Sequence, residues 1–180
     1  MLARSAEVPL WASGVCAGLD AAGVGHIVYV PDNPTSHVIR ILSERFRDVR
    51  TTVATREEEA FGIAAGLYLG GVRGAVMLQS SDLGNSLNAL TSLLVPYRIP
   101  VVILVSMRGE ESEWNPAQMP MGRAVRPIFD AIGIAHTTLE NPGTASAIVE
   151  SVARRAFEAR LPAACLLPRR ITAPPVQAPV

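Results

Sequence analysis

Three consecutive carboxylates, Glu57, Glu58 and Glu59, follow Thr55 and Arg56 and precede the apolar stretch AFGIAAGLYLG. In the first turn of a helix, free N–H groups and the positive end of the helix dipole stabilise a carboxylate, so such residues often serve helix stability alone. Crowding points the other way. Neighbouring carboxylates repel one another, and one that faces a cavity is partly desolvated and poised to share a proton with a ligand nitrogen. Both readings stand at this level. The segment QSSDLGNS at 79–86 joins small residues, a glycine and a capping serine directly after an apolar run, which lets the backbone approach a flat ligand. It is equally an ordinary strand-to-helix turn, and it matches neither GxGxxG nor a P-loop. Arg108 and Arg123, in SMRGEESEWNPAQMPMGR at 106–123, offer forked donors suited to carboxylate, sulfonate or phosphonate groups. They could instead pair with Glu110, Glu111 or Glu113. Asp32 and His37 follow the first apolar run, where a capping Asp and a helix-surface His are the plain alternatives.

These groups need elements to hold them. Short apolar, β-branched runs recur at 26–30, 51–54, 75–79, 100–106, 134–138 and 163–167, separated by helix-length segments. The near-continuous apolarity of VVILV, without alternation, is what a strand covered on both faces requires. The expectation is therefore an α/β, doubly wound, six-stranded parallel sheet with helices on both faces. Capping chemistry predicts helix starts at Ser36, Thr55, Ser86 and Thr144, with Thr55 and Glu58 forming a capping box and Gly23, Gly70 and Gly71 in left-handed terminating positions. In such a sheet, ligands bind beyond the carboxyl ends of the strands, which selects the loops at 30–36, 55–59, 79–86 and 106–123. The last of these is long for a compact domain, and loops of that length tend to carry function.

The 180 residues suit one domain, 1–171, followed by a proline-rich tail, 172–180. Hydrophobic residues make up 49% and charged residues 18%, which excludes general disorder. All sixteen basic residues are arginine. The lack of lysine removes Schiff-base chemistry, lysine-anchored pyridoxal phosphate and the P-loop lysine. Sixteen acids balance the arginines without long like-charged runs, so neither nucleic acid nor an anionic membrane is an expected partner. Two distant cysteines and three scattered histidines indicate neither a metal site on this chain nor a disulfide framework, and they suit a reducing cytosol. Without a signal-like or membrane-spanning apolar stretch, a soluble cytoplasmic protein is expected.

The run from TREEEAFGIAAG through LGNSLNAL to the RGE after the fourth strand, followed by AQMPMGR, resembles the pyrimidine-binding (Pyr) domain of thiamine diphosphate-dependent enzymes. Within them it is most similar to the alpha subunits of sulfopyruvate decarboxylases and the matching half of phosphonopyruvate decarboxylases. The likeness covers about residues 10–170. It implies that Glu57, or in a neighbouring register Glu58, bonds N1′ of the cofactor's aminopyrimidine, and that Ser81, Leu83, Gly84 and Asn85 line the cofactor. A carboxyl group sharing a proton at N1′ activates the cofactor for attack on the ketone of a 2-oxo acid, which then loses carbon dioxide. Gln118 would reach toward the reacting centre. Asp32, Asn33, His37, Arg108 and Arg123 would surround the substrate, with the two arginines taking its distal anion.

One departure concerns the loop. Related enzymes read NSGLGN where this chain has Ser80, Ser81, Asp82, Leu83, Gly84 and Asn85. An Asp in place of a Gly brings negative charge and restricts the turn, which implies a substrate less negative than sulfopyruvate. The family holds the diphosphate through Mg2+ on a second domain marked by GDG, and no GDG occurs here. The resemblance thus implies half an enzyme: a separate beta subunit carrying the diphosphate and Mg2+ site, self-association into a larger assembly, and an inactive isolated chain. The alternatives are a subunit of a carboligase or of a decarboxylase for another 2-oxo acid, and a noncatalytic α/β regulatory module.

Overall fold

The apolar runs become β1 His26–Tyr29, β2 Arg50–Val53, β3 Gly74–Gln79, β4 Val102–Ser106, β5 Ala135–Thr138 and β6 Ala163–Leu167. The computed structural model describes residues 8–111 and 113–173. Its strands form one sheet in the order β2-β1-β3-β4-β6-β5, and every neighbouring pair is parallel. All five residues of β4 and of β6 are buried, as expected for strands covered on both faces. The edge strand β2, RTTV, is mostly exposed.

The helices are α1 Leu10–Ala21, α2 Asn33–Arg45, α3 Glu57–Leu69, α4 Leu83–Ala89, α5 Met119–Ala131, α6 Ala145–Ala159 and the short α7 Arg169–Thr172. Two apolar clusters sit on opposite faces of the sheet. One joins α1, α2 and α6 to Ile27, Met77, Leu104 and Cys165, and the other joins α3, α4 and α5 to Val28, Leu78, Ile103 and Leu166. The alternation along β1, β3, β4 and β6 sends successive side chains to opposite layers. Because α2 leaves β1 toward one layer and α4 leaves β3 toward the other, the chain diverges at the carboxyl ends of these paired strands. A crevice opens at such a point.

Several predicted helix starts move. Helix α2 begins earlier than Ser36: its N-cap is Asp32, whose Oδ1 accepts the Thr35 N–H at 2.6 Å. Pro34 has no N–H to satisfy in that first turn, so the earlier start costs nothing. The predicted Thr55–Glu58 capping box is not formed. Arg56 occupies the N-cap of α3, and Glu59 takes both the Thr55 N–H and its hydroxyl at 2.8 Å. Ser86 lies inside α4, behind a 3-10 turn at Ser80–Asp82. Thr144 is the N-cap of α6 but makes no side-chain cap; Asn141 caps the preceding 3-10 turn by accepting from the Gly143 N–H at 2.8 Å. Gly23 and Gly71 adopt left-handed φ of 69° and 82°, whereas Gly70 has φ −80°. The expected tail begins inside α7, which closes with buried Thr172, and residues 174–180 lie outside the described residues. No helix among the described residues is long and apolar enough to cross a membrane.

Candidate active site

The three adjacent carboxylates separate because successive helical residues point about 100° apart. Glu57 turns inward and is 9% exposed. Its Oε2 accepts the Asn85 side-chain N–H at 3.0 Å, so the first turn of α3 is tied to the first turn of α4. Glu58 is paired outside with Arg56 at 2.9 Å, and Glu59 is spent on Thr55. Among the described residues, Glu57 Oε1 accepts no hydrogen bond. Gly84, the second residue of α4, precedes Asn85 in the chain, and an added Cβ there would meet nothing nearer than Met121 Sδ at 4.0 Å. A buried carboxylate with one oxygen anchored by Asn85, and an exposed, unclashed glycine preceding that asparagine, suit a flat, proton-bearing ring.

The residues flanking Gly84 take different roles. Leu83 is fully buried in the α3–α5 cluster and supports this wall from behind. Ser81 donates to Asp82 Oδ1 at 2.7 Å, and the Gln79 N–H donates to Asp82 Oδ2 at 3.1 Å. The departure at Asp82 is therefore satisfied within its own turn. Its φ of −86° is open to any residue, so no glycine is required there. Burial raises the Asp82 pKa, the Ser81 and Gln79 bonds oppose that rise, and the charges of Glu57 and Asp32 add to it. Both carboxylates thus lie close enough for their fields to reach Asp82.

A cleft of about 440 Å³ opens at the carboxyl ends of β1, β3, β4 and β6. Asp32, Asn33 and His37 line it from the start of α2, and Arg108 lines it from the end of β4. Asp32 is fixed by the Thr35 N–H on one oxygen and the Ser106 hydroxyl on the other. His37 packs edge-on against Trp11, with ring centroids 6.2 Å apart. Arg108 forks onto Glu113, with Nε and Nη2 donating at 2.7 and 2.8 Å. Glu113 is fully enclosed and also accepts from the Gly109 and Asn115 N–H groups at 3.2 and 3.0 Å. The Arg108 guanidinium and these N–H groups hold the Glu113 carboxyl down at about pKa 2, and the same pair raises the pKa of Arg108. The Arg108 N–H donates to the buried Ser80 hydroxyl at 2.9 Å, which ties the loop after β4 to the loop after β3.

Two expected substrate residues lie elsewhere. Arg123 is exposed, in a surface depression with Glu110, Glu111 and Arg126. Gln118 ends the 3-10 turn before α5, and its side-chain oxygen is buried without a hydrogen-bond partner. Beyond the expected residues, the cleft lining includes Gln79, Ser106, the 75% exposed Trp114 and Arg169. The carboxyl-end rule applies to β6 as it does to the other strands and leads to Arg169, but at the level of sequence it is applied only to the loops at 30–36, 55–59, 79–86 and 106–123.

Residues 12–125 match the family described as "Thiamine pyrophosphate enzyme, N-terminal TPP binding domain". The chain is 34% identical over 146 residues to sulfopyruvate decarboxylase subunit alpha of Methanococcus maripaludis, covering 81% of this chain and 87% of that one. With sulfopyruvate decarboxylase subunit alpha of Methanothermobacter thermautotrophicus it shares 40% identity over 131 residues, or 73% of this chain and 79% of the relative. It is also 37% identical over 165 residues to phosphonopyruvate decarboxylase of Streptomyces hygroscopicus, spanning 90% of this chain and 41% of that protein.

Proposed function

The chain belongs to the thiamine pyrophosphate enzyme family as its N-terminal, TPP-binding domain, and from that membership we propose that it is the pyrimidine-binding subunit of a two-chain, cytoplasmic 2-oxo acid decarboxylase. Its substrate is a three-carbon 2-oxo acid of the sulfopyruvate or phosphonopyruvate kind, and the products are an aldehyde and carbon dioxide. A separate beta subunit supplies the diphosphate and Mg2+ site, and the pair self-associates further. Two comparisons support this division. The alpha subunits are nearly matched in length, while the Streptomyces enzyme is matched over 41% of its length, which leaves room there for a second half.

The observation that carries the reading is Glu57: buried and held at Oε2 by Asn85, which the exposed Gly84 precedes. Glu57 Oε1 would hold the proton at N1′ of the aminopyrimidine, and Asn85 would fix the carboxylate's orientation. Gly84 would let the ring lie against the backbone, while the apolar side chains behind it exclude water. When bound, the cofactor supplies an electron sink for the electron pair left as carbon dioxide departs. The cleft beside it, with Asp32, Asn33, His37 and Arg108, would receive the acid.

The partner is a chain carrying GDG and a downstream Asn. Mixed with it, thiamine diphosphate and Mg2+, this chain is expected to release carbon dioxide from sulfopyruvate or phosphonopyruvate, and alone it is expected to release none. Glu57→Gln keeps the side chain's volume and is expected to lower turnover of the complex by about 10²- to 10⁴-fold, the usual contribution of a positioned acid or base. Full turnover in that variant would remove Glu57 from the chemistry.

A further inference from the structure

Loops that leave strand ends are as a rule more mobile than the elements they join, yet one residue of the loop after β4 is held on three sides. The Arg108 N–H donates to the buried Ser80 hydroxyl at 2.9 Å. Gly122, near the start of α5, faces the Arg108 carbonyl so closely that an added Cβ would fall on its oxygen. The Arg108 guanidinium forks onto Glu113, with Nε and Nη2 donating at 2.7 and 2.8 Å. That carboxylate is itself fixed, because the Gly109 and Asn115 N–H groups donate to it as well. The two partners of the pair are placed unequally. The Glu113 side chain is fully enclosed, whereas that of Arg108 is 26% exposed and lines the cleft. A ligand in the cleft therefore meets the guanidinium, and the carboxylate stays covered. The fork takes two of the five N–H donors of a guanidinium and sets the plane in which the others point. Stability alone accounts poorly for such a pair, since an enclosed ion pair is often no more stable than apolar residues of similar volume.

We infer that Glu113 is a positioning residue: by fixing the Arg108 guanidinium it keeps a pre-oriented set of N–H donors facing the cleft for the distal sulfonate or phosphonate of the 2-oxo acid. The inference rests on the functional reading above and adds to it the group that acts on the substrate through Arg108. A long, freely rotating side chain loses rotamer entropy when it binds a ligand, and the Glu113 fork has removed most of that loss before the ligand arrives. Charge-assisted bonds from a fixed guanidinium to a multi-oxygen group are the strong ones. The effect falls on affinity for the head group. Loss of carbon dioxide takes place at other atoms of the substrate and is left unaltered.

The test has two arms. In the complex reconstituted with the partner subunit, thiamine diphosphate and Mg2+, Glu113→Gln removes the charge and is expected to raise KM for sulfopyruvate and phosphonopyruvate about ten-fold, the equivalent of one charge-assisted bond, with kcat within about two-fold. Glu113→Asp, which keeps the charge on a shorter stem, recovers part of the loss and carries the test if the Gln variant does not fold. Glu111→Gln, which removes a charge from an exposed position of the same loop, behaves as the parent. Because Glu113 acts through Arg108, adding Glu113→Gln to Arg108→Gln is expected to change KM by less than about two-fold. A further rise in that double variant, a fall in kcat as large as the rise in KM, or an unchanged KM in Glu113→Gln overturns the inference. In the second arm, the full-length chain alone is titrated calorimetrically with sulfoacetate and phosphonoacetate, which are expected to bind about ten-fold more weakly to Glu113→Gln than to the parent. If the complex turns over neither acid yet this difference persists, the positioning role stands and the decarboxylase reading falls. If the two forms bind equally, or neither binds, the positioning role falls whatever the activity.

Discussion

At the scale of single residues, two enclosed carboxylates are set to different tasks by what surrounds them. Glu57 accepts from Asn85 on Oε2, whereas both oxygens of Glu113 accept from Arg108 and from loop N–H groups. The second arrangement has a measurable consequence. The folded-state pKa of Glu113, about 2, lies below its ordinary 4.5, so folding favours the ionised form. The stability this contributes is fully present above pH 4.5 and is lost as the pH falls toward 2. Glu113→Gln is accordingly expected to lower unfolding free energy at pH 7 by about 1–3 kcal/mol, with a smaller difference near pH 2.5, as read from urea titrations at both values. An unchanged gap between the two pH values would show that the ion pair is not what stabilises the loop. Sequence alone named Glu113 only as one of three partners for Arg108. Glu110, Glu111 and Glu113 are all within loop reach, and choosing among them requires the fold of the loop.

At the scale of elements, the six strands were legible because apolar runs bounded by turn residues are a local pattern, and the expected boundaries agree within about two residues. Helix starts were less legible. The segment PDNPTS contains four residues able to cap a helix, Asp32, Asn33, Thr35 and Ser36, and local chemistry ranks Asp32 and Ser36 almost equally. What favours Asp32 is partly tertiary: its second oxygen accepts from Ser106 on a strand that is distant in sequence. The contact between α1 and α6 is similarly silent in the sequence. Gly14 and Gly18 read as weak points of a helix, yet a Cβ at Gly18 would lie 2.5 Å from Ser146 O and 2.9 Å from Val149 Cβ. The two helices approach as closely as they do because no side chain intervenes. Gly18→Ala is therefore expected to destabilise the protein by about 1–3 kcal/mol despite alanine's better helix propensity, as measured by thermal or denaturant unfolding. A gain in stability would mean the helices can separate without cost.

At the scale of the whole molecule, both apolar clusters rest on the same sheet, so neither layer can come away without exposing the apolar face of β3, β4 and β6 that it covers. Cys16, on α1, and Cys165, on β6, are both fully buried in one cluster, and burial pushes each thiol up to about pKa 12. Neither is expected to react with a thiol reagent at pH 8 in the native chain. In a denaturant series both are expected to label together, in step with the loss of far-UV circular dichroism. Labelling of one cysteine ahead of the other would reveal independent opening of a layer. The sequence by itself determined the kinds of element, their alternation, the two-faced burial of the central strands and the family of the chain, because periodicity and short motifs are written in neighbouring residues. Only the tertiary structure decided that β1 sits between β2 and β3, that Glu57 and not Glu58 meets Asn85, that Arg123 lies apart from the cleft, and that Arg169 lines the same cleft as Arg108. Each of these is a contact between positions far apart along the chain, and such contacts arise from how whole layers pack rather than from any local pattern of residues.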